Sequence, residues 1–387
     1  MVYSKKLAYL ILSTVLVFNI IGMAIYSYIG RYLLILGTAK IVIQIIVTLL
    51  PFSSFIFPPI FGKLSDKFQN RRLFILIGAL SLPIIFVLFL FITNLILIII
   101  LVLLYGICSS LIGLNFILYQ EVVFNDQKYI SYYNSMIVLG WFFGAQLCGI
   151  FIDMFGINNL FLFLLIFSFL ELALTLLLKE ERELILKGFD KYHTKYNLKL
   201  FDQEIELSIS RSIYYALFFR NFGIRPIMSI LTIIMAFHLS TDLEIGFLVG
   251  FNPLIQFFLM ILMGKIISKK NEKSFMVIGY LLSGVVILGY ILSFNFFHYL
   301  IFQILVSFSY SMFWSATHFY IAQNTTPENK GQFVSLANSS FYLGSFIGGL
   351  FFSGVLAIFP DYSIAMIPLI IFPIISALII SIRFKNI

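Results

Sequence analysis

The segment Phe61-Gly62-Lys63-Leu64-Ser65-Asp66-Lys67-Phe68-Gln69-Asn70-Arg71-Arg72 places five charged residues between two long apolar stretches. A weaker copy, Gly264-Lys265-Ile266-Ile267-Ser268-Lys269-Lys270-Asn271-Glu272-Lys273, follows 202 residues later, again between apolar stretches. Basic loops at equivalent places imply a duplicated, many-span membrane protein whose halves share one plan and can rock against each other.

Composition supports this. Hydrophobic residues make up 61% of the chain and charged residues 11%, with a mean hydropathy of +1.04. A globular domain carries about 25% charge, so most of this surface must meet something other than water. Apolar runs of about 20 residues recur along the whole length, enough for a helix to cross a bilayer. Hydrocarbon offers backbone groups no partner, which selects helices, and the alternating segments of a barrel are missing. The apolar runs predict twelve spans: 7–29, 39–61, 73–92, 95–119, 130–152, 159–178, 213–239, 245–266, 275–293, 298–322, 331–356 and 363–382. The seventh is interrupted by Arg220 and Arg225, and Pro226 either kinks it or marks its true start.

Of 25 Lys and Arg, only Arg31 and Lys40 fall in the loops after odd-numbered spans. The other 23 gather by the opposite loops and the two ends, which predicts cytoplasmic termini in the cell membrane. The net charge of +8 therefore reports topology and anionic headgroups rather than nucleic acid. Met1–Lys6 resembles the start of a signal peptide, but the apolar run behind it is too long, so it reads as the first span. Cys108 and Cys148 read as packed apolar thiols. No cysteine–histidine metal spacing and no cofactor motif occurs, and a monomer is expected.

The hydrophilic stretch 179–212 carries seven basic and seven acidic residues and divides the chain into an N-terminal bundle (1–178), a linker and a C-terminal bundle (213–387). Pro51 and Pro253 each precede their loop glycine by eleven residues. Ser131, Asn134, Ser135, Leu139, Gly140 and Gly144 match Ser335, Asn338, Ser339, Leu343, Gly344 and Gly348 at an offset of 204. Two matches at nearly one offset make duplication a better account than chance. The glycine pairs read as sites of close helix packing.

With these features the chain resembles the major facilitator superfamily over essentially its whole length. Gly62, Ser65, Asp66, Lys67, Arg71 and Arg72 fit the family's loop pattern between spans 2 and 3, although Gln69 stands where glycine is common. The resemblance implies an all-helical membrane fold of two pseudo-symmetric six-helix bundles. It also implies that Asp66 latches the halves on the inner side near the start of span 11, where Lys330 is an added partner. From the residues alone, Gly62 permits a tight turn or close approach, and Asp66 suits a helix N-terminus. The plainer alternative is that Asp66, Arg71 and Arg72 only enforce topology and meet headgroups. Span 1 has no acid, span 4 has no arginine, and Ala145 follows Gly144 where the antiporter pattern has proline, which weakens antiport.

In the resembled fold, spans 1, 4, 7 and 10 line a cavity, with 2, 5, 8 and 11 beside them. Intramembrane polar groups usually face such a space. Span 10 offers Ser307, Tyr310, Trp314 and His318 on one helical face, and His318 is able to titrate near neutrality. Asn252 and Gln256 flank Pro253 in span 8, and Asn19, Asn115, Gln146 and Asn338 stand in spans 1, 4, 5 and 11. For each, helix packing competes with a place on the substrate path. Glu171 is the candidate coupling acid, against a plain reading as a peripheral, snorkelling or paired group. Arg220 and Arg225, read at the inner end of span 7, are expected to anchor to headgroups rather than bind an anion.

The expected function is secondary transport of a small organic solute by alternating access, with export of a drug-like or amphipathic compound favoured and a proton or other ion as the coupling partner. Sugar or metabolite uptake is the alternative within the fold. A membrane transferase would need paired acids for Mg²⁺, and Asp66, Glu121 and Asp126 are scattered. No phosphate-binding loop points to ATP-driven pumping. A sensor would need an output domain larger than the linker.

Overall fold

The computed structural model describes residues 5–68, 70–123, 127–179, 209–325 and 330–384, apart from the side chains of 127–131, 330 and 331. Most of the linker, Gln69, Asp126, Glu328, Asn329 and the Lys330 side chain lie outside the described residues.

The described chain folds as helices α1 (Lys5–Ile35), α2 (Lys40–Phe68), α3 (Arg71–Phe91), α4 (Leu95–Ile112), α5 (Asn115–Val122), α6 (Gln127–Phe155) and α7 (Leu160–Leu176) in the first half. The second half holds α8 (Ser212–Ser229), α9 (Leu231–Ala236), α10 (Asp242–Ile266), α11 (Glu272–Leu292), α12 (Phe296–Gln323), α13 (Lys330–Ile358), α14 (Tyr362–Met366) and α15 (Ile371–Arg383). Among the described residues, eleven helical segments are long and apolar enough to span a membrane. The twelfth crossing is α8 with α9, broken at Ile230, where φ is −117° and ψ is 9°. The helix starts at Ser212 rather than at Pro226, which sits inside α8. Proline's missing N–H removes one ladder bond, and the break follows four residues later.

Polar residues at the membrane borders end and start these helices. Asn94, Thr241, Asn295 and Asp361 cap α4, α10, α12 and α14 by accepting backbone N–H groups. Each satisfies donors that a helix start leaves without a partner. Gly37, at φ 77°, lets the chain turn back after α1, with Thr38 N–H donating to the Leu33 carbonyl.

The duplication is visible in the packing. An added methyl at Gly140 or Gly144 would lie 2.7 Å from the Leu16 carbonyl oxygen or 2.6 Å from that of Ile20, so α6 rests directly on the α1 backbone. Gly344 and Gly348 press in the same way on the carbonyls of Phe218 and Phe222, so α13 rests on α8. The contacted residues are themselves 202 apart.

The buried apolar side chains form three clusters. One draws on both halves, from Ile20–Leu33 of α1 to Leu231–Met235 of α9 and Leu248 of α10. The other two each belong to one half, around Leu7–Val15 and Leu118, and around Leu217, Tyr280 and Tyr320. These private clusters lie toward the face that carries the chain ends and basic loops. Among the described residues, the halves therefore share an apolar core toward the opposite face, and each keeps its own on the basic one.

Candidate functional site at the junction of the halves

The closed face is held by small residues and by charge. Gly149 of α6 and Gly246 of α10 meet backbone to backbone, and a methyl on either would come within 2.8 Å of the other's Cα. Gly349 of α13 packs on Thr48 of α2. Arg31 of α1 pairs with Asp242 of α10, whose own N–H donates to Asp153 of α6 at 3.0 Å. Lys40 of α2 donates to the Pro360 carbonyl at 2.9 Å and lies 4.5 Å from the Tyr362 ring centroid. The two cations that break the charge asymmetry of the sequence thus both tie one half to the other.

On the basic face the loop motif turns inward to its own half. Arg71 is buried at the start of α3 and reaches Asp66 at 2.7 Å, Glu121 at 2.9 Å and the Ser65 hydroxyl at 2.6 Å. Asn70, not Asp66, caps α3. Gly62 is a correction to the sequence reading: it lies inside the continuous helix α2, and an added methyl there meets nothing within 4 Å among the described residues. Gly264 is equally open. Arg72 is half-buried, and the partner proposed for Asp66, Lys330, has its side chain outside the described residues.

Between these faces stand Arg220 and Arg225, which correct a second expectation. Arg220 lies eight residues into α8 and is 2% exposed, too deep to reach headgroups. Its guanidinium donates to Ser283 at 3.1 Å and to Asn221 at 3.0 Å, and lies 4.4 Å from the Phe313 ring and 5.7 Å from that of Tyr310. Arg225 lies 5.3 Å from the Tyr26 ring of the other half and 4.9 Å from that of Phe341. Among the described residues no carboxylate oxygen comes within 4 Å of either arginine, while three ion pairs form elsewhere.

The predicted stripe on α12 belongs to this cluster. Tyr310 stacks on Trp314 at 5.7 Å, and Trp314 contacts Phe341 at 5.6 Å and His318 at 4.5 Å. Trp314 thus bridges the rings that carry the two guanidiniums. Deeper in, toward the closed face, a cavity of about 30 Å³ is lined by Tyr26, Ser27, Met228, Thr232, Asn252 and Gln303, among others. Gln303 is fully buried, and neither its amide oxygen nor its nitrogen has a hydrogen-bond partner. Asn252 is engaged, with Gln256 donating to its side chain and the Ser307 hydroxyl 2.9 Å away.

Other candidates make contacts within the helix packing of this arrangement. Asn19 accepts from Trp141 at 3.1 Å, Asn115 donates to Thr14 at 3.3 Å, and Gln146 packs against Gly250 across the halves. Asn338 is exposed. Glu171 is fully buried within the first half rather than peripheral, with Thr175 donating to it at 3.4 Å. Sequence reasoning missed Gln303 and Phe341, and placed both arginines at a membrane edge. The available signal was the pair of cations in one span with no acid nearby.

The family model described as "Major Facilitator Superfamily" matches residues 7–199 and 213–386. No curated protein matches the chain by sequence. Among solved structures, a point mutant of the nucleoside transporter NupG superposes with a TM-score of 0.78 at 10% identity, covering 98% of this chain and 100% of that one. The xylose transporter XylE from E. coli gives 0.75 at 14%, covering 99% and 96%. A point mutant of the peptide transporter POT gives 0.72 at 11%, covering 97% and 93%. At these identities the likeness is one of fold.

Proposed function

Since the chain belongs to the major facilitator superfamily, we propose that it is a secondary active transporter that moves a small organic solute across the cytoplasmic membrane by alternating access. The observation that carries this reading is the distribution of apolar clusters, one shared on the closed face and one private to each half on the basic face. The positive-inside rule assigns the basic face to the cytoplasm, which makes this arrangement the inward-facing state. The halves, 1–178 and 213–387, then rock about the central site while 179–212 links them. In the state closed on the cytoplasmic side, Asp66 of α2 latches toward the start of α13.

The aromatic set Tyr310, Trp314 and Phe341 favours a solute with an apolar body over a sugar. Export follows for such a solute, which partitions into the inner leaflet beside the open face. Uptake of a hydroxyl-rich metabolite is the second reading, supported by the unpaired Gln303 amide beside Asn252. The test is single-cysteine labelling at Ser27 from each side of oriented vesicles, in a background lacking Cys108 and Cys148. Alternating access requires solute to change the ratio of labelling from the two sides. A ratio that no solute from a broad panel alters would overturn the proposal.

A further inference from the structure

We propose that the transported solute is an amphipathic organic anion whose oxyanion is bound by Arg225, with Arg220 reinforcing the positive field. This rests on the transport reading above and names the substrate class of that site. A guanidinium withdrawn from water is costly unless a counter-charge or hydrogen bonds replace its hydration. Arg220 keeps two hydrogen bonds and an aromatic neighbour. Arg225 is half-buried, with ring faces but neither a hydrogen bond nor a carboxylate among the described residues. Its donors are thus available at the junction of the halves, five residues from a second cation on the same helix.

The surroundings select the rest of the molecule. Trp314 joins the ring that carries Arg220 to the ring that carries Arg225, an apolar floor suited to a flat body. Gln303 presents an amide with no partner to the cavity above, so a hydrogen-bonding substituent fits at that end. No described carboxylate competes for the guanidiniums: Asp66 pairs with Arg71, Glu171 is buried in the other half with Thr175, and Glu272 lies at the start of α11, eleven residues before Ser283. A cationic drug would meet two like charges here, and a neutral sugar would bring no counter-charge to Arg225.

The test uses the purified full-length protein in nanodiscs, with naphthoate, the isosteric neutral naphthamide and naphthyl phosphate as binding probes, each taken to about 1 mM. Naphthoate or naphthyl phosphate binds at least about tenfold more tightly than naphthamide, and whichever is tighter identifies the oxyanion. Arg225→Gln loses about ten- to a hundredfold of that affinity, as expected for a charge-assisted hydrogen bond. The same variant changes naphthamide affinity by less than about threefold and keeps the thermal midpoint of the parent, which separates a lost charge contact from misfolding. Arg220→Gln is the second variant, expected to weaken the anion less. Equal binding of the acid and amide, no binding of either anion, or an unaffected Arg225→Gln variant each overturns the anion assignment. None of these outcomes touches the labelling ratio that tests alternating access.

Discussion

Gly149 and Gly246 meet across the halves on one face of the molecule, whereas Gly62 and Gly264, the glycines of the repeated loops, meet nothing among the described residues on the other. The first pair is explained by the arrangement seen here, since any side chain would separate the helices. The second pair has no use in it. A small residue that nothing crowds acquires a purpose only when the halves approach on that face. The contrast teaches that the two faces are built for different states, and each makes its own predictions.

The largest effect is expected at the closed face. Gly149→Val sets branched carbons against the Gly246 backbone, where nothing is free to move aside. Overpacking of this kind costs about 1–3 kcal/mol. Because each half has its own buried cluster, the cost falls on the contact between halves rather than on folding. Transport falls about ten- to a hundredfold by the same arithmetic, while the thermal midpoint moves little. Gly62→Val, by contrast, leaves this closed face intact and disturbs only the opposite state. If both variants label identically at Ser27, the comparison fails.

A second effect belongs to the basic face and to stability. Arg71 is buried and held by Asp66 and Glu121, the latter with its side chain only 11% exposed. Glu121→Gln keeps a hydrogen-bonding group but removes the better-buried counter-charge. Loss of a charge-assisted bond at such a site costs about 1–3 kcal/mol. The measurement is the thermal midpoint in nanodiscs, which drops for Glu121→Gln and recovers little with added salt.

A third is the gate on the closed face. Arg31 and Asp242 are 17% and 16% exposed and join the two halves. Arg31→Gln weakens closure by about 1–2 kcal/mol, so Ser27 becomes about five- to thirtyfold more accessible from that face. The double variant with Asp242→Asn should add little, because one interaction is then removed twice.

How much of this was legible from sequence follows the physics of lipid. Helices and their number were readable because hydrocarbon admits few alternatives, and the repeat was readable because close packing on a backbone demands glycine at Gly140, Gly144, Gly344 and Gly348. The span-10 stripe was also legible, since Tyr310, Trp314 and His318 share a face whatever surrounds them. Depth along α8 was not. The apolar run set span 7 at 213–239 but left Pro226 as either a kink or its true start, and the second choice puts Arg225 at the headgroups. The structure starts the helix at Ser212, which carries both arginines inward. The partners of Gln303 and Asn115 were equally hidden, since a buried amide reads the same in sequence whether its neighbour is a hydroxyl or a cavity.

The smallest effect on stability, and the sharpest test of the contrast, is at Asp66. Its side chain is 64% exposed here, so its pair with Arg71 is largely screened by water and contributes under about 1 kcal/mol. Asp66→Asn should therefore leave the thermal midpoint nearly unchanged while the arrangement seen here persists. If the acid also latches the halves when the basic face closes, the same substitution slows transport by destabilising only that state. The pattern to look for is normal stability, normal labelling without solute, and a smaller labelling change when solute is added. A fall in stability matching that of Glu121→Gln would instead make Asp66 a part of the fold of its own half, and the latch would be lost.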